Sequence, residues 1–531
     1  MNSHTGRWNG FLTAFAVGIV LTLSSVQAQA LTPEETRGKQ IYLRGTSPSG
    51  AKINALVGRE GVALPASAVP CASCHGPDGR GRPEGGIIPP DIRWSELTKV
   101  YGHVHDEGRQ EGRRHPAFDE AGFTKVILTG VDPGDNRLDQ AMPIYQLPKQ
   151  DMADLLAYMK RLETDLDPGL SDEQIQVGTL LPLAGSQGKL GQAMAQVMHA
   201  YFKEVNNNGG VFGRKLELLV IPFGSSAEAT LETLRLAILT EGVFAVVGAY
   251  TAGMDQPVLE LLGEEGVPLI GPFTLDPGDE IDNAAAFYLY GGFVEQVRVL
   301  AKKALEEADA EAPPPVLVGP EGAYVDRLVS AVQEQLEDGG KKDPLSLRYP
   351  AGEFDAEAVA EKVGKSDTLF FFGGQAELEP LLVALDARKA KPRVFLLSSF
   401  VSRPLYEAPA AFHYRIFLAY PTLSSDMTAA GRTAYQTLAR EHALPPDHLQ
   451  GQITAYAAAK LLVEGLRQAS RSLNRLALVD ALEALYLYDT GLTPPLTYGP
   501  NRRIGARGAH VVTVDLIKKS YQPVGGWQEL R

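Results

Sequence analysis

Both cysteines of this 531-residue chain lie in one short segment, Cys71-Ala72-Ser73-Cys74-His75. Because no third thiol exists, a disulfide framework linking distant segments is excluded, and hydrophobic cores must hold the chain together. A chain of this length exceeds one ordinary core. We therefore expect two or three domains, organised around whatever this segment binds.

The spacing Cys-x-x-Cys-His is the attachment signature of a c-type haem. Two thiols three positions apart share one helical turn, so both can reach the vinyl groups of one porphyrin. The following imidazole then lies under the iron as an axial ligand. The sequence predicts one covalently bound haem c, held by Cys71, Cys74 and His75, with His75 as an iron ligand.

Two other interpretations of the motif remain open. A thioredoxin-like redox pair belongs in a βαβ unit, whereas here a segment rich in Pro and Gly follows. A structural zinc site needs four ligands. His103, His105 and His115 could supply nitrogens, but their spacing matches no recognised zinc motif.

Residues 1–30 have the pattern of a cleavable secretory signal peptide. Arg7 precedes an apolar core from Phe11 to Leu23, and Ala28-Gln29-Ala30 forms a small-x-small cleavage site. The apolar core is too short to span a bilayer, so we expect a periplasmic protein without stable membrane insertion. The formal charge of −14 argues against nucleic acid and anionic lipid as partners.

Residues 31–166 resemble class I cytochromes c in the order of their segments. Thr32 and Pro33 begin a helix, the haem motif follows, and Gln140–Tyr145 is a Met-Pro loop before a final helix at Leu147–Met159. The resemblance implies an all-α cytochrome c domain. It also implies that a Pro carbonyl in Gly86–Pro90 accepts a hydrogen bond from His75 Nδ1 and that Met142 is the sixth iron ligand.

Three histidines compete with Met142 for the sixth position: His103, His105 and His115, in a polar stretch at 101–116. Met142 is favoured because it precedes Pro143 in a loop rather than lying on a helical stripe of core methionines. His/Met ligation leaves no open iron site, which suits electron transfer and argues against a haem enzyme.

A linker at residues 167–174, with Pro168 and Gly169, separates the first domain from residues 175–531. Beyond it, strands alternate with helices, which predicts parallel sheets. The predicted strands are 175–183, 216–223, 243–249, 268–272, 316–319, 368–373, 394–398 and 416–420. Because these are too many for one sheet, we expect two lobes.

The second part of the chain resembles the type I periplasmic binding proteins of the Leu/Ile/Val and amide-binding group, over 174–520. The resemblance rests on 178–185, Glu204–Arg214, Val246–Thr251, Gly266–Ile270 and Tyr498–Asn501. It implies a multidomain fold: the cytochrome c domain, then a two-lobed α/β periplasmic-binding-protein type I fold. It also implies a ligand between the lobes, at the carboxyl ends of strands.

The candidate ligand contacts lie in loops that follow predicted strands. They are Ser186, Tyr250, Thr251, Ala252, Phe273, Thr274, Leu275, Gln375, Ser399 and Phe400. Amino-acid-binding members of the family hold the ligand carboxylate with hydroxyls and its ammonium with an acid. The corresponding positions here are Ala252, Leu275 and Ser399, which cannot pair both charges. The nearby aromatic side chains indicate a neutral or partly aromatic ligand, unless they only pack the lobe.

These observations predict an exported haem protein that combines one-electron transfer with small-molecule binding, coupled to a periplasmic redox partner such as a dehydrogenase or oxidase chain. The alternative is a solute-binding receptor of an ABC-type transport or sensing system, with the cytochrome as redox sensor or tether. No catalytic residues are expected, because the sequence has no Gly-x-Ser-x-Gly, His-Glu-x-x-His or phosphate-cradling motif.

Overall fold

The computed structural model describes residues 31–81, 86–99, 115–274, 277, 285–308, 312–340, 344–470 and 473–530. The chain divides into two compact units, between Asp165 and Leu166. Each unit has hydrophobic cores of its own. Among the described residues, no helix combines the length and the hydropathy that crossing a membrane requires.

The first unit contains five helices and three short strands among its described residues. They are α1 (Pro33–Arg44), β1 (Asn54–Val57), β2 (Val62–Pro65), α2 (Cys71–His75), α3 (Trp94–Leu97), α4 (Glu120–Thr129), β3 (Ile144–Gln146) and α5 (Lys149–Arg161). Helices α1, α2 and α5 coincide with segments that the sequence predicted to be helical or to carry the haem motif.

The crossing of α1 and α5 organises this unit. Thr32 caps α1, because its hydroxyl accepts from Glu35 N while the Glu35 carboxylate accepts from Thr32 N. At the crossing, Gly38 lies so close to α5 that a Cβ there would be 2.0 Å from the carbonyl oxygen of Asp154. One turn later the ring of Tyr42 packs 5.7 Å from that of Tyr158. Because Gly38 has no side chain, α1 and α5 can approach each other this closely.

The unit also contains a three-stranded antiparallel sheet, in the order β2-β1-β3, that an all-α domain does not include. Gly58 and Gly61 have φ of 73° and 62° and bound the turn between β1 and β2. β3 pairs with β1 through Ala55 and Tyr145. Since β3 directly follows Met142-Pro143, this pairing positions the loop that carries the candidate sixth ligand.

The second unit alternates strands and helices. Its described elements are β4 (Gln174–Leu181), α6 (Gly188–Asn207), β5 (Lys215–Pro222), α7 (Ala227–Leu236), β6 (Val246–Val247), α8 (Asp255–Glu264), β7 (Leu269–Ile270), β8 (Ala286–Tyr290), α9 (Phe293–Glu306), β9 (Val316–Pro320), α10 (Ala323–Asp338), β10 (Leu345–Tyr349), α11 (Ala356–Val363), β11 (Thr368–Phe371), α12 (Gln375–Ala387), β12 (Arg393–Leu397), β13 (Ile416–Tyr420), α13 (Ala429–Glu441), α14 (Leu449–Gln468), α15 (Arg475–Glu483), β14 (Ile504–Ala506), β15 (Gly508–Asp515), β16 (Ser520–Pro523) and β17 (Gln528–Glu529).

Two sheets confirm the predicted two lobes. Within the described residues, the first sheet has the order β14-β8-β7-β6-β4-β5 and is parallel throughout. The second has the order β10-β9-β11-β12-β13-β15-β16, with β17 paired to β15, and is parallel up to β13. The loops at the carboxyl ends of the parallel strands are the places where ligand contacts are expected.

The chain passes between the lobes three times. It leaves the first sheet after β8 at Gly291-Gly292, returns between β13 and α13, and leaves again between β14 and β15 at Arg507. The crossings contact one another: Gly291 N donates to the carbonyl of Ala506 over 3.2 Å. Nε2 of His510 also lies 2.7 Å from Oδ1 of Asp426.

Some elements differ from the sequence prediction. The segment 243–249 is a regular strand only at Val246–Val247, although it is buried throughout and Phe244 N and Gly248 N also donate to neighbouring strands. The prediction did not include β8, α9, β10, α11, α15 or the C-terminal strands β14 to β17. Helices α9 and α11 are amphipathic, so the helical spacing of their apolar residues could have identified them.

Helix α6 packs closely on the loop after β4 at Gly191, and a substitution there tests this packing. A Cβ at Gly191 would lie 1.9 Å from the carbonyl oxygen of Pro182. We expect Gly191→Ala to lower the free energy of unfolding of the second unit by about 2 kcal/mol, because backbone must move. Gly263→Ala is the matched control, since Gly263 is also helical in the same lobe and a Cβ there meets nothing within 4 Å. Equal stability of the two variants in urea unfolding would contradict this packing.

Candidate functional site

The haem motif forms α2, a single short helix of residues Cys71–His75. Pro70 precedes it, and Gly76, with φ of 75°, ends it. Both thiols are free; Cys71 is partly buried and Cys74 is exposed. Burial raises the pKa of the Cys71 thiol to about 12. The two thiols thus lie on one turn, one facing the core and one facing solvent.

His75 is 5% exposed and is held by a loop that lies fifteen residues further along. Its Nδ1–H donates to the carbonyl of Pro90 over 3.1 Å. Pro90 belongs to the Gly86–Pro90 segment that the sequence indicated. Burial lowers the pKa of His75, so the ring is neutral at pH 7. The bond at Nδ1 fixes the tautomer and leaves Nε2 with a lone pair for a metal.

Two tyrosine hydroxyls donate hydrogen bonds to backbone carbonyls on either side of the haem motif. Tyr42 Oη on α1 donates to the carbonyl of Gly76 over 2.6 Å. Tyr145 Oη on β3 donates to the carbonyl of Val69, two residues before Cys71, over 2.7 Å. Because Tyr145 follows Met142 closely, the second bond connects the Met142 loop to the haem motif.

Met142 is partly buried and packs against the same hydrophobic core as Cys71. A turn holds its backbone, since Met142 N donates to the carbonyl of Asp139 over 3.0 Å. Of its rivals, His103 and His105 lie outside the described residues. His115 is buried, with Nδ1 2.7 Å from the carbonyl oxygen of Pro116 and its ring 4.9 Å from that of Phe118.

These residues fit a covalently attached haem. The thiols are unpaired and share one helical turn, and the buried His75 is neutral with one nitrogen fixed and the other available. A small apolar cavity beside Cys71 is lined also by Ile41, Ile53, Tyr145 and Leu155. Apolar lining and an oriented imidazole are what a porphyrin with an axial histidine requires.

In the second unit, a stacked aromatic pair lies in the loops that follow two neighbouring strands of the first lobe. Tyr250 follows β6 and Phe273 follows β7, and their rings are 5.5 Å apart and nearly parallel. The backbones are paired as well, because Thr251 N donates to the carbonyl of Phe273 over 3.1 Å. Phe223 packs edge-on against Tyr250. Two of the predicted contacts are thus side by side.

The second lobe contributes a separate aromatic group. Phe400, in the loop after β12, packs edge-on against Phe293 with ring centres 5.5 Å apart. Phe293 also contacts Tyr324, the second residue of α10. The sequence prediction included Phe400 but missed Phe293 and Tyr324. Both missed residues begin helices after strands, a position that could have identified them.

Asp255 is an acidic residue that the sequence prediction also missed. It is the first residue of α8, and its Oδ1 accepts from the hydroxyl of Thr251 over 2.5 Å. Burial raises the pKa of Asp255, opposed by hydrogen bonds from Thr251, Thr274 and the backbone of Gly253. Thr251 and Thr274, both predicted contacts, therefore bind this carboxyl group.

The remaining predicted contacts differ in their exposure to solvent and in their hydrogen bonds. Ser186 and Ser399 are exposed, Ala252 is partly buried, and Leu275 lies outside the described residues. Gln375 is buried at the start of α12, and its Oε1 accepts from Ser402 N, Ser402 Oγ and Arg403 N over 2.9 to 3.0 Å. Its Nε2 donates to Glu379. In this arrangement the Gln375 side chain holds a loop rather than reaching into the cleft.

Two family models match this chain, one in each of its two units. The family model described as Periplasmic binding protein matches residues 174–520, which is most of the chain. The chain belongs to the periplasmic binding protein family. A second model, Cytochrome c, matches residues 66–163, so this periplasmic binding protein carries a cytochrome c domain, and such domains bind haem c covalently. Proteins of the family are periplasmic and bind small molecules.

Two curated relatives are Leu/Ile/Val-binding proteins by name. BraC3 of Rhizobium johnstonii is 26% identical over 214 residues, which are 39% of this chain and 57% of the relative. Leu/Ile/Val-binding protein homolog 3 of Brucella melitensis is 23% identical over 314 residues, covering 58% of this chain and 83% of the relative.

Solved structures have the same fold. A putative branched-chain amino acid ABC transporter protein from Rhodospirillum rubrum aligns with a TM-score of 0.55 at 17% identity, covering 66% of this chain and 100% of that one. A branched-chain amino acid ABC transporter protein from Thermus thermophilus with bound valine aligns with a TM-score of 0.52 at 15% identity, covering 67% and 97%. The two-lobed fold of this periplasmic binding protein is thereby shown.

The difference between the two thiols can be measured before haem is attached. In protein made by a host without attachment machinery, we expect iodoacetamide at pH 8 to alkylate exposed Cys74 at least about tenfold faster than Cys71, because only thiolates react. The Cys71→Ser and Cys74→Ser variants each keep one thiol, so mass spectrometry of each variant gives the alkylation rate of the remaining cysteine. Unfolded protein, in which both thiols are exposed, is the control. Equal rates in the folded protein would contradict the burial of Cys71.

Proposed function

We propose that this protein is an exported haem c protein that transfers single electrons and binds a small neutral or aromatic molecule in the cleft of its second unit. The binding of this molecule is coupled to electron exchange with a periplasmic redox partner, such as a dehydrogenase or oxidase chain. The observation that carries the proposal is the presence, in one chain, of an oriented haem motif and a two-lobed binding fold.

For the haem, we assign Cys71 and Cys74 to covalent attachment and His75 and Met142 to the iron, with one haem per chain. Bound there, the haem would supply reversible one-electron chemistry at its iron. The Pro90 carbonyl orients His75, and Tyr145 ties the Met142 loop to the haem motif. With His75 and Met142 both holding the iron, no site would remain there for a substrate, which favours electron transfer over catalysis.

For the cleft, the ligand contacts that we assign are Tyr250, Phe273 and Phe400. Flat aromatic side chains favour apolar or aromatic ligands. Ala252 and the exposed Ser399 stand where the resemblance places groups for an amino acid head, and neither offers a charge. An amino acid zwitterion would therefore lose partners that it needs when buried.

A second candidate is a receptor of an ABC-type transport or sensing system, with the cytochrome as redox sensor or tether. It is favoured by the curated relatives, whose names describe them as binding proteins. The two candidates differ in whether the bound molecule changes electron exchange. Reduction of the holoprotein by a small mediator, followed with and without ligand, separates them: an unchanged rate favours the receptor.

The axial ligand can be tested by Met142→Leu, which keeps the apolar volume but removes the sulfur. We expect a lower reduction potential, by about 100 mV or more, and binding of exogenous imidazole or cyanide to the iron, because a thioether ligand raises the potential of haem iron. The potential is measured by redox titration, and the intact mass of each variant must equal the processed chain plus one haem.

Met152→Leu is the matched control, because Met152 is a buried core residue of α5. Its potential and spectrum should equal those of the wild type. If Met142→Leu also behaves as wild type while His115→Ala alters the spectrum, the assignment of Met142 is wrong and His115 is the ligand.

The ligand can be sought by a melting screen of the full chain. A ligand at a hundred times its Kd stabilises the folded protein by about 2.7 kcal/mol. We expect no rise in melting temperature with leucine or valine and a rise with at least one small neutral or aromatic compound. Tyr250→Ala should weaken binding of that compound about tenfold or more, through loss of the aromatic contact, without changing the haem spectrum.

Tyr486→Ala serves as the control for Tyr250→Ala, since Tyr486 is 77% exposed. Binding of the compound should be unchanged in it. Tight binding of leucine would overturn the ligand proposal, and no binding by any compound of a broad library would overturn the assignment of a small-molecule cleft.

A further inference from the structure

The loop that carries Met142 is held by hydrogen bonds on its amino side. Leu138 N donates to the carbonyl of Gly130 over 2.9 Å, which ties the start of the loop to the end of α4. The carbonyl of Asp139 accepts from Met142 N over 3.0 Å, and Oδ1 of Asp139 accepts from Ala141 N over 2.9 Å. The backbone just before Met142 therefore forms a turn that is closed by its own residues.

On the carboxyl side the loop continues into β3, which is three residues long. Tyr145 is the central residue of β3 and pairs with Ala55 of β1. A strand of this length is at the lower limit of those found in sheets, so its pairing contributes few backbone hydrogen bonds. The side chain of Tyr145 adds a contact outside the sheet, because its Oη donates to the carbonyl of Val69 over 2.7 Å, across 76 residues of sequence.

This hydrogen bond joins two segments that both bear on the proposed haem site. Val69 lies two residues before Cys71, where the chain enters the haem motif, and Tyr145 lies three residues after Met142. Tyr145 is 5% exposed and lines the apolar cavity beside Cys71. Water therefore competes little for the hydrogen bond, which is stronger in such surroundings than at the surface.

The restraint on the loop has a consequence for ligand exchange at the iron. Met142 and a small exogenous ligand such as imidazole would compete for one axial position. The apparent affinity for imidazole would then be proportional to the fraction of molecules in which Met142 has left that position. Because a loosely held loop leaves the position free in a larger fraction of molecules, the contacts of the loop determine how well the iron is closed to small ligands.

We propose that Tyr145 is a positioning residue for the sixth iron ligand: its hydrogen bond to Val69 holds Met142 in place and keeps small exogenous ligands from the iron. This inference rests on the proposed assignment of Met142 to the iron and adds the side chain that holds it there. Tyr145 acts through the loop and is not itself an iron ligand.

Tyr145→Phe tests the inference, because it removes the hydroxyl and keeps the buried ring. The measurement is a spectrophotometric titration of the oxidised holoprotein with imidazole. We expect imidazole to bind about tenfold more tightly than it binds the wild type, since loss of a buried hydrogen bond would weaken the Met142-bound state by about that factor. The intact mass of the variant must show one attached haem.

Tyr158→Phe is the matched control. Tyr158 is 2% exposed and lies in the same unit, and its Oη donates to Oδ2 of Asp165 over 2.9 Å. This variant also loses a buried phenol hydroxyl, but the hydrogen bond that it loses does not involve the Met142 loop. Its affinity for imidazole should equal that of the wild type. Equal tightening in both variants would overturn the inference, because it would show a general loosening of the unit.

The double variant Met142→Leu/Tyr145→Phe shows whether Tyr145 acts through Met142. With the sulfur removed, Tyr145→Phe should not change the affinity for imidazole further. A tenfold change in this background, or no change when Met142 is present, would overturn the inference. Unchanged imidazole binding in Met142→Leu alone would show instead that the assignment of Met142 is wrong, so the two failures are distinguishable.

A second replacement is used if Tyr145→Phe yields no haem-loaded protein. 4-Aminophenylalanine in place of Tyr145 keeps an N–H donor at the end of the ring, so this protein should bind imidazole as the wild type does. Tenfold tighter binding despite the retained donor would overturn the inference.

Discussion

The arrangement of the two lobes depends on the three passages of the chain between the two sheets. A single passage would leave the lobes free to rotate, whereas three adjacent segments restrict their relative motion. The contacts among these segments are local: a backbone hydrogen bond joins Gly291 to Ala506, and Glu295 accepts from Gly292 N over 2.8 Å at the start of α9. A second pair, His510 and Asp426, joins the passage between β13 and α13 to the passage between β14 and β15. The first crossing directly precedes Phe293, which packs on Phe400, so the segments that join the lobes lie beside the aromatic group of the second lobe.

The capping of α1 by Thr32 and the helical turn of Cys71–His75 could be predicted from the sequence, because each depends on a few consecutive residues. The Pro carbonyl that accepts from His75 lies fifteen residues away, and only the resemblance to class I cytochromes c implied it. The tyrosine bonds to the carbonyls of Gly76 and Val69 could not be predicted. They join segments distant in sequence, and no pattern marks which tyrosine reaches which carbonyl.

The candidate ligand contacts could be predicted only from their positions in loops that follow predicted strands. Loops after strands identified Tyr250, Phe273 and Phe400, and the structure places the first two in contact. Gln375 occupies a similar position, yet it is engaged by Ser402 and Arg403, a pairing across twenty-seven residues. Asp255 was missed for the opposite reason. It begins a helix, and only the folded chain shows that its carboxyl group accepts from the hydroxyl of Thr251.

The hydrogen bond between His75 and Pro90 has a consequence for the speed of electron exchange. An electron moves only when the surroundings of the donor and acceptor have adopted a geometry suited to both charge states, and the energy of that adjustment sets the barrier. With haem bound as proposed, an imidazole fixed at one nitrogen by a backbone carbonyl, inside a buried core, would shift little when the iron gains or loses a charge. The backbone of this loop would thereby keep the reorganisation energy small.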